Sequence, residues 1–386
     1  MSRAIVLGAG MVGSVMAADL AAEPGFDVTV ADARPGALDA AVARASAGGS
    51  RVTTIHADLA DPGAVRKLVA PYDIVLGALA SRIGFASLRA VIEAGKHYCD
   101  ISFMAEDAID LDDLAKRHGV TAIVDCGIAP GMSNMIAGYE VTRMERADSV
   151  EIYVGGLPRE RRWPFQYKAG FSPADVVEEY TRPVRIVEHG RTVIKEALTE
   201  PELLDFQGLG TLEAVNTDGL RSLARTLSVP HMKEKTLRYP GHYEIMRIFR
   251  ETGLFNEEPI DVGGARVKPR DVIAALMFPK WTYTPGEEDL TVMRIAVAGM
   301  LNAKPVRRVW DLLDYYHKPS AATSMARTTA LPCTIMARLV ASGAFRRPGV
   351  LPPELIGKVP GVLDQVLQRL DAKGVRFTSR TEPMEG

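Results

Sequence analysis

Three closely spaced glycines near the N-terminus constrain the fold of this chain more than any other feature. They follow the short apolar run 4–7 and precede a segment whose apolar residues have helical spacing. This order predicts a strand, a tight turn and a helix, the arrangement in which a dinucleotide places its pyrophosphate at the helix N-terminus. The residues of the turn that we predict to bind the cofactor are Gly8, Gly10, Met11, Val12 and Gly13.

An acidic residue at the end of the second predicted strand supports the same interpretation. Asp32 lies 24 positions after Gly8, close to the spacing at which a carboxylate accepts hydrogen bonds from the adenosine ribose of NAD. Arg34 lies two residues further on and is a candidate to bind the 2′-phosphate of NADP instead. We therefore predict NAD, with NADP less favoured, while a plain role for Asp32 in capping the next turn stays open.

Short apolar segments alternate with helix-compatible segments as far as residue 124. The further predicted strands are 52–55, 74–76, 97–101 and 121–124, and the predicted helices between them are 62–69, 87–94 and 111–118. This alternation predicts an α/β class protein with a doubly wound parallel sheet, a Rossmann domain. Cofactor and substrate are expected to meet beyond the C-terminal ends of the strands. The residues at those ends that we predict to contact cofactor or substrate are Asp58, Leu79, Ala80, Asp100 and Ser102.

The pattern changes after residue 126, where the segments become longer, more aromatic and richer in proline and glycine. We predict that 127–319 is an inserted α+β domain for substrate binding and oligomerisation. The Ala-rich, helix-compatible region 320–373 is predicted to rejoin the Rossmann domain at 1–126. The polar residues 374–386 are predicted to be a frayed tail.

Composition argues against several classes of function. The 46 Lys and Arg residues are balanced by 48 Asp and Glu residues, so no general attraction to nucleic acid or to anionic membranes is expected. No apolar run is long enough to span a bilayer. The three cysteines are far apart in the sequence and the seven histidines lack metal-ligand spacing. We therefore predict a cytoplasmic enzyme without a metal centre.

Three motifs in the remainder of the chain carry a family resemblance. They are GIAPGMSN at 127–134, VGGLP at 154–158 and TLRYPGH at 236–242. Together with the glycine turn, they make nearly the whole chain resemble the saccharopine dehydrogenase-like family. Within that family, the segments 264–272 and 324–327 are most similar to the lysine 6-dehydrogenase branch.

The resemblance implies a reaction, a substrate and an assembly. It implies NAD-dependent oxidation of the ε-carbon of L-lysine, with release of ammonia and formation of a 6-semialdehyde that cyclises. It also implies that the enzyme is a homodimer or homotetramer. Saccharopine reductases typically carry Arg at the position of Thr217, and Asp and His at the positions of Ala129 and Asn134. Losing a cationic anchor favours a substrate with fewer carboxylates than saccharopine.

Candidate site residues follow from the motifs and the strand ends. Arg238 is the predicted clamp for the substrate α-carboxylate, because its planar fork binds two oxygens, although a structural salt bridge is the alternative. Asp100 is predicted to orient or deprotonate the ε-amine, with Tyr239 and His242 as candidate proton relays. The remaining predicted substrate residues are Ser102, Asn134, Thr217 and Lys168. For Asn134 a helix cap is the simpler explanation, and for Lys168 a solvated loop position is.

Two other functions stay open at this point. One is a saccharopine or carboxynorspermidine reductase, which forms a C–N bond by reducing an imine with NADPH. The other is a non-catalytic NAD-binding scaffold or sensor, because a fold alone does not fix function. The reductase differs from lysine oxidation in its cofactor and in its need for a carbonyl substrate. The scaffold or sensor would bind cofactor without catalysing a reaction.

Overall fold

The computed structural model describes residues 1–284 and 286–384. The chain divides into two compact units. Unit 1 comprises Met1–Arg143, His317–Ala322 and Ala326–Arg376; unit 2 comprises Met144–Tyr316, Thr323–Met325 and the described residues from Phe377 onward. The first boundary therefore falls after Arg143 rather than after residue 126 as predicted, because the helix that follows the 127–131 turn packs with unit 1.

The N-terminal part of unit 1 alternates strands and helices as predicted. Its elements are β1 Ser2–Leu7, α1 Met11–Ala21, β2 Phe26–Asp32, α2 Pro35–Ala47, β3 Thr53–His56, α3 Pro62–Val69, β4 Ile74–Gly77, α4 Ser81–Glu93, β5 His97–Asp100, α5 Asp112–Arg117, β6 Thr121–Ile123 and α6 Met132–Arg143. The helix α2 was not predicted, because its buried face consists only of Leu38, Ala41 and Ala45. The predicted helix 87–94 begins earlier, at Ser81.

In its described residues, unit 2 contains longer strands and three helices of at least nine residues. Its elements are β7 Arg146–Pro158, α7 Pro173–Thr181, β8 Val184–Glu188, β9 Arg191–Lys195, β10 Glu202–Phe206, β11 Gly210–Asn216, α8 Leu223–Thr226, β12 His231–Arg238, α9 His242–Glu251, β13 Ile260–Val262, β14 Ala265–Val267, α10 Pro269–Trp281, β15 Asp289–Leu301 and β16 Lys304–Tyr315. The C-terminal elements are α11 Ser324–Ala341, β17 Gly349–Leu351, α12 Pro353–Gly357, α13 Val362–Ala372 and β18 Phe377–Pro383.

The sheet of unit 1 has seven parallel strands in the order β17-β6-β5-β4-β1-β2-β3. The predicted α/β class and doubly wound parallel sheet are confirmed. The central strands β1 and β4 are almost entirely buried, as expected where helices cover both faces of a parallel sheet. The short strand β17 completes the sheet beside β6 and was not predicted.

The main sheet of unit 2 follows the order β10-β11-β12-β7-β15-β16-β18, with β8 and β9 extending from β12. It is mixed, because β12 and β7 run parallel while their other neighbours are antiparallel. An aromatic core that includes Tyr180, Tyr243 and Trp281 joins α7, α9 and α10. The predicted frayed tail is wrong, since residues 377–383 form β18 and pair with β16.

The helix α11 begins where a buried carboxylate accepts its first amides. Asp289 accepts hydrogen bonds from Ser324 N at 2.6 Å and from Met325 N at 3.0 Å. A carboxylate distant in sequence therefore takes the place of a local N-cap side chain. Among the described residues, none of the helices combines the length and apolarity needed to cross a bilayer.

Candidate functional site

The glycine turn of unit 1 has the geometry that a dinucleotide requires. A Cβ atom at Gly8 would collide with the carbonyl of Ala78, and one at Gly13 would collide with the carbonyl of Gly8. At Gly10 the nearest atom to such a Cβ is Arg34 Nη2 at 3.9 Å, so the face of the turn is open. The first turn of α1 has no side-chain cap and no acidic residue. Its amides, which include Met11, Val12 and Gly13, remain available for a phosphate.

Asp32 lies beside this turn and is held firmly. Its Oδ2 accepts a hydrogen bond from Ala9 N at 2.8 Å, and its Oδ1 accepts one from Arg34 N at 2.8 Å. The guanidinium of Arg34 reaches the same carboxylate, with Nε 3.1 Å from Oδ1. Burial raises the pKa of Asp32, but the hydrogen bonds from Arg34 and Ala9 outweigh it and the net shift is downward. Asp32 is therefore an ionised acceptor at the rim of the turn, and it engages the arginine that was the candidate for a 2′-phosphate.

The other predicted cofactor residues lie at strand ends, as expected. Asp58 is exposed in the turn after β3, where its carboxylate accepts a hydrogen bond from Ala60 N at 2.9 Å. Leu79 follows β4 and lies near Gly8; its amide donates to Ser102 Oγ at 3.1 Å. Ala80 is exposed and directly precedes α4. These positions fit the prediction, and the binding roles themselves stay predictions.

Asp100 is the last residue of β5 and is completely buried. Its Oδ1 accepts hydrogen bonds from Ser102 N at 2.9 Å and from Ser102 Oγ at 2.7 Å. Its Oδ2 has no hydrogen-bond partner among the described residues. A buried oxygen without a partner is costly in a folded protein. Asp100 therefore lies at the strand end where substrate is expected, and its role towards the substrate amine stays a prediction.

The protonation state of Asp100 suits that role. Burial raises the pKa of Asp100 to about 7, the hydrogen bonds from Ser102 oppose the increase, and the nearby Asp125 adds to it. A carboxyl group with a pKa near neutrality can both accept and return a proton under ordinary conditions. Ser102 is therefore best described as a residue that fixes Asp100, and its own contact with substrate stays a prediction.

Asn134 belongs to the first turn of α6 and is also fully buried. Ser133 Oγ donates a hydrogen bond to Asn134 Oδ1 at 2.8 Å. The Asn134 Nδ2 group has no partner among the described residues. Both hydrogens of this buried NH2 group are therefore without an acceptor, which calls for an explanation. The substrate role of Asn134 stays a prediction.

In unit 2, Arg238 is buried and its donors are largely occupied. Nη2 donates to Glu179 Oε2 at 2.9 Å, Nε to Tyr180 Oη at 3.3 Å, and Nη1 to the carbonyl of Leu237 at 3.0 Å. The guanidinium also lies over the ring of Tyr167, 4.3 Å from its centroid. The geometry therefore corresponds to the salt-bridge alternative. A substrate carboxylate would have to share or displace Glu179.

His242 and Tyr239 are held by hydrogen bonds within unit 2. The carbonyl of Phe165 lies 2.9 Å from His242 Nδ1 and can only accept, so Nδ1 carries the proton and Nε2 accepts from Tyr180 Oη at 3.0 Å. Burial and the charge of Arg238 lower the pKa of His242 to about 3. Tyr239 donates to the carbonyl of Pro158 at 3.0 Å. A neutral, fully bonded imidazole does not fit the predicted role of proton relay near neutral pH.

The last two predicted substrate residues are also engaged. Lys168 Nζ donates to the carbonyl of Thr282 at 3.0 Å and forms an ion pair with Glu287. Thr217 is buried, and its hydroxyl donates to Glu234 Oε2 at 2.5 Å and contacts the hydroxyl of Thr236 at 2.7 Å. Thr217 therefore occupies a closed polar network. Neither position presents an unpaired group to a ligand in this geometry.

The sequence did not reveal two carboxyl groups near these residues. Glu179 pairs with Arg238, and its side chain is 23% exposed whereas Arg238 is 2% exposed. Glu234 lies in β12 and is buried; burial raises its pKa to about 8, and the charge of Glu179 contributes. Glu234 lies two residues before the TLRYPGH motif, between two lysines. Nothing local in the sequence distinguished it from a charged residue on a solvated strand edge.

The side chains that usually bind metal ions are not clustered in the part of the chain that the structure describes. Within residues 1–284 and 286–384, no group of three or more His, Cys, Asp or Glu side chains is arranged to hold a metal ion. The three cysteines, although far apart in sequence, are all buried and none forms a disulfide. Cys99 and Cys333 each interact with Cys126.

Family models match nearly the whole chain. One described as the saccharopine dehydrogenase NADP binding domain matches residues 4–123, and one described as the saccharopine dehydrogenase C-terminal domain matches residues 127–375. Among solved structures, an apo saccharopine dehydrogenase (L-Glu forming) from Saccharomyces cerevisiae superposes with a TM-score of 0.80 at 19% identity, covering 99% of this chain and 100% of that chain. At this low identity, the superposition on the S. cerevisiae structure shows a shared fold.

Curated relatives have related names and low identity. A saccharopine dehydrogenase [NADP(+), L-glutamate-forming] from Schizosaccharomyces pombe is 21% identical, covering 78% of this chain and 83% of that protein. A carboxynorspermidine synthase from Vibrio cholerae is 24% identical, with coverages of 75% and 74%. The alpha-aminoadipic semialdehyde synthase of Bos taurus is 22% identical, and the chain spans only 41% of its length.

Proposed function

This chain belongs to the saccharopine dehydrogenase family of oxidoreductases, and from that membership we propose that it catalyses NAD-dependent oxidative deamination of the ε-amino group of L-lysine. The ε-carbon loses a hydride to the cofactor and the ammonium group loses a proton to the protein. Water then hydrolyses the resulting imine to 2-aminoadipate 6-semialdehyde and ammonia, and the semialdehyde cyclises. The substrate is the finer part of the proposal and rests on the resemblance of the motifs.

The proposal rests on Asp100 Oδ2, a buried oxygen that has no hydrogen-bond partner among the described residues. An amine gives up hydride only when its nitrogen lone pair is free, so a proton acceptor must lie near the reacting carbon. Asp100 Oδ2 is a buried acceptor at the C-terminal end of β5. Ser102 holds the other oxygen and fixes the orientation of the carboxyl group. We therefore assign Asp100 the role of general base.

We propose NAD rather than NADP as the preferred cofactor. The curated relative from S. pombe carries NADP(+) in its name, which argues for the phosphorylated form in the family. In this chain, however, Arg34 is bound to Asp32 through its backbone and its side chain. A 2′-phosphate would have to compete with that carboxylate for the arginine, and it would be repelled by the same carboxylate.

An imine reductase is the second candidate, and the names of the relatives favour it. A saccharopine or carboxynorspermidine reductase would use NADPH to join an amine to a carbonyl compound. The residues of the glycine turn and Asp100 serve that direction equally well, because the protein would return the proton that it otherwise accepts. The two functions differ in one measurable property, the requirement for a carbonyl partner.

The decisive experiment follows NADH absorbance in a mixture of protein, NAD and L-lysine at alkaline pH. NADP and L-ornithine are tested in parallel, and NADPH oxidation is tested with an amine plus a 2-oxo acid. NADH formation with lysine alone, lost by about 10²–10⁴-fold in Asp100→Asn, is the expected result. The matched control is Asp61→Asn, which alters an exposed carboxylate that caps α3. NADPH oxidation that requires both partners, with no lysine oxidation, would establish the second candidate instead.

A further inference from the structure

A glycine without a side chain leaves space next to Asp100 in the sheet of unit 1. Gly77 is the last residue of β4 and pairs with Asp100 of β5 in the parallel ladder. A Cβ atom at Gly77 would lie under 3.0 Å from both Tyr98 Oη and Asp100 Oδ1, a separation that real Cβ atoms do not adopt. Glycine weakens a strand interior and commonly marks a close approach of other groups. Here the absent side chain leaves room for the tyrosine hydroxyl beside the carboxyl group.

Tyr98 reaches this space because of the strand periodicity. It precedes Asp100 by two residues in β5, so both side chains project from the same face of the sheet. The tyrosine is completely buried, and its hydroxyl has no hydrogen-bond partner among the described residues. Leaving a buried hydroxyl unbonded costs about 1–3 kcal/mol. The hydroxyl lies beside the Asp100 carboxyl group, and a hydrogen-bonding interaction between the two opposes the rise in the pKa of Asp100 that burial causes, although the two groups do not meet strict hydrogen-bond geometry.

We propose that Tyr98 is a positioning residue for Asp100, whose hydroxyl donates a hydrogen bond to the Asp100 carboxylate once that group has lost its proton. Gly77 keeps the path between the two side chains open. Asp100 must be ionised to accept a proton from the substrate, so Tyr98 stabilises the reactive form. The catalytic part of this inference rests on the proposed function, whereas the interaction between the two side chains does not.

The groups that face Asp100 show why one more donor matters. Ser102 supplies two hydrogen bonds to Oδ1, while the charge of Asp125 disfavours a second negative charge. The buried thiols of Cys99 in β5 and Cys333 in α11 also interact with Asp100, and the backbone amide of Cys126 donates to the carbonyl of Asp100 at 2.8 Å. Thiols are weak donors, so the tyrosine hydroxyl is the stronger remaining source of a hydrogen bond to the carboxylate.

The first test compares the pH dependence of kcat in the wild type, Tyr98→Phe and Tyr72→Phe. Tyr98→Phe removes only the hydroxyl, so we expect the acidic limb of the profile to move to higher pH by about one unit, the typical effect of one hydrogen bond to a charged group. The plateau at high pH should stay within about twofold of the wild type. Tyr72→Phe, in the same unit, controls for loss of a phenol and should leave the profile unchanged.

The second test does not need catalysis. The pH dependence of urea unfolding is measured for the wild type, Tyr98→Phe, Asp100→Asn and the double variant. If the hydroxyl supports the carboxylate, Tyr98→Phe destabilises the protein more at pH 9 than at pH 5, and this pH-dependent difference disappears in the Asp100→Asn background. Gly77→Ala should show the same pH-dependent difference on top of a destabilisation at every pH, because its methyl group would collide with both the Tyr98 hydroxyl and Asp100 Oδ1.

The outcomes separate this inference from the proposed function. An unshifted acidic limb together with an identical pH dependence of unfolding in Tyr98→Phe and the wild type would overturn it. A protein that fails to oxidise lysine but shows the coupling in unfolding keeps the interaction and loses the lysine assignment. If Gly77→Ala does not fold, the isosteric Tyr98→Phe variant still decides the question.

Discussion

Replacing Asp100 by asparagine should lower turnover by about 10²–10⁴-fold and at the same time stabilise the protein, relative to the wild type, above neutral pH. Burial raises the pKa of Asp100 from 3.8 to about 7. The folded state therefore keeps the proton while the unfolded chain loses it, so this group favours folding least at high pH. The stability that it contributes is fully present below pH 3.8 and is lost progressively as the pH rises to about 7. An asparagine side chain does not titrate, so the Asp100→Asn variant does not lose stability in this way as the pH rises.

The size of the effect follows from the difference between the two pKa values. At about 1.36 kcal/mol per pKa unit, the full span corresponds to roughly 4 kcal/mol. The free energy of unfolding of Asp100→Asn, relative to the wild type, should rise by about 2–3 kcal/mol between pH 5 and pH 7 and stay level above pH 8. Fixed differences between the side chains shift the whole curve but not its slope.

The assay is urea unfolding at several pH values, followed by circular dichroism. Far-ultraviolet dichroism is needed because the three tryptophans, Trp163, Trp281 and Trp310, all belong to unit 2 and would not report on unit 1. Asp61→Asn serves as the control for loss of a carboxylate. A relative stability of Asp100→Asn that does not change with pH would show that the carboxyl is ionised in the folded protein well below pH 7, and the general-base argument would then lose its basis.

Three further predictions concern the other site residues. Asp32→Ala should raise the ratio of kcat/KM for NADP to that for NAD by at least about tenfold, or about 1.4 kcal/mol, because Arg34 is released; an unchanged ratio would refute the role of Asp32. Glu179→Gln should lower the free energy of unfolding by about 1–3 kcal/mol, since the guanidinium of Arg238 loses its charged partner, whereas Glu196→Gln, at a side chain that is 84% exposed, should change it by less than about 1 kcal/mol in thermal unfolding. His242→Gln should retain the acidic limb of the pH–rate profile, because the imidazole, with a pKa of about 3, is already neutral there; disappearance of that limb would return His242 to the catalytic group.

Most of the N-terminal part of unit 1 could be predicted from the sequence, because most of its elements have a local pattern. The glycine turn, the apolar strands and the helices between them are all contained in consecutive residues. The strands that were not predicted depend on distant partners. The three residues of β17 pair with β6 more than two hundred positions earlier, and β18 is a mostly exposed edge strand whose polar residues resemble a free tail.

The site residues of unit 2 were harder to predict for a related reason. In the sequence, Arg238 resembles a free cation in a distinctive motif. In the structure, its partner Glu179 comes from 59 positions earlier and Tyr180 from 58. His242 is fixed by the carbonyl of Phe165, 77 positions away. A motif shows the type of residue, but the number of its hydrogen-bond donors that lack an acceptor depends on contacts that only the fold creates.

Burial has opposite consequences for the pKa values of Asp100 and His242, and this difference favours Asp100 as the base of the proposed reaction. Removing a carboxyl group from water disfavours its charged form and raises its pKa, which brings Asp100 to about 7. Removing an imidazole from water disfavours its cationic form and lowers its pKa, which takes His242 to about 3, with the charge of Arg238 adding to the effect. A group with a pKa near neutrality can take a proton from an amine and release it again, whereas His242 would hold an accepted proton too weakly. Histidine is usually the first residue considered as a base near neutral pH, but in this protein the buried aspartate has the better matched pKa.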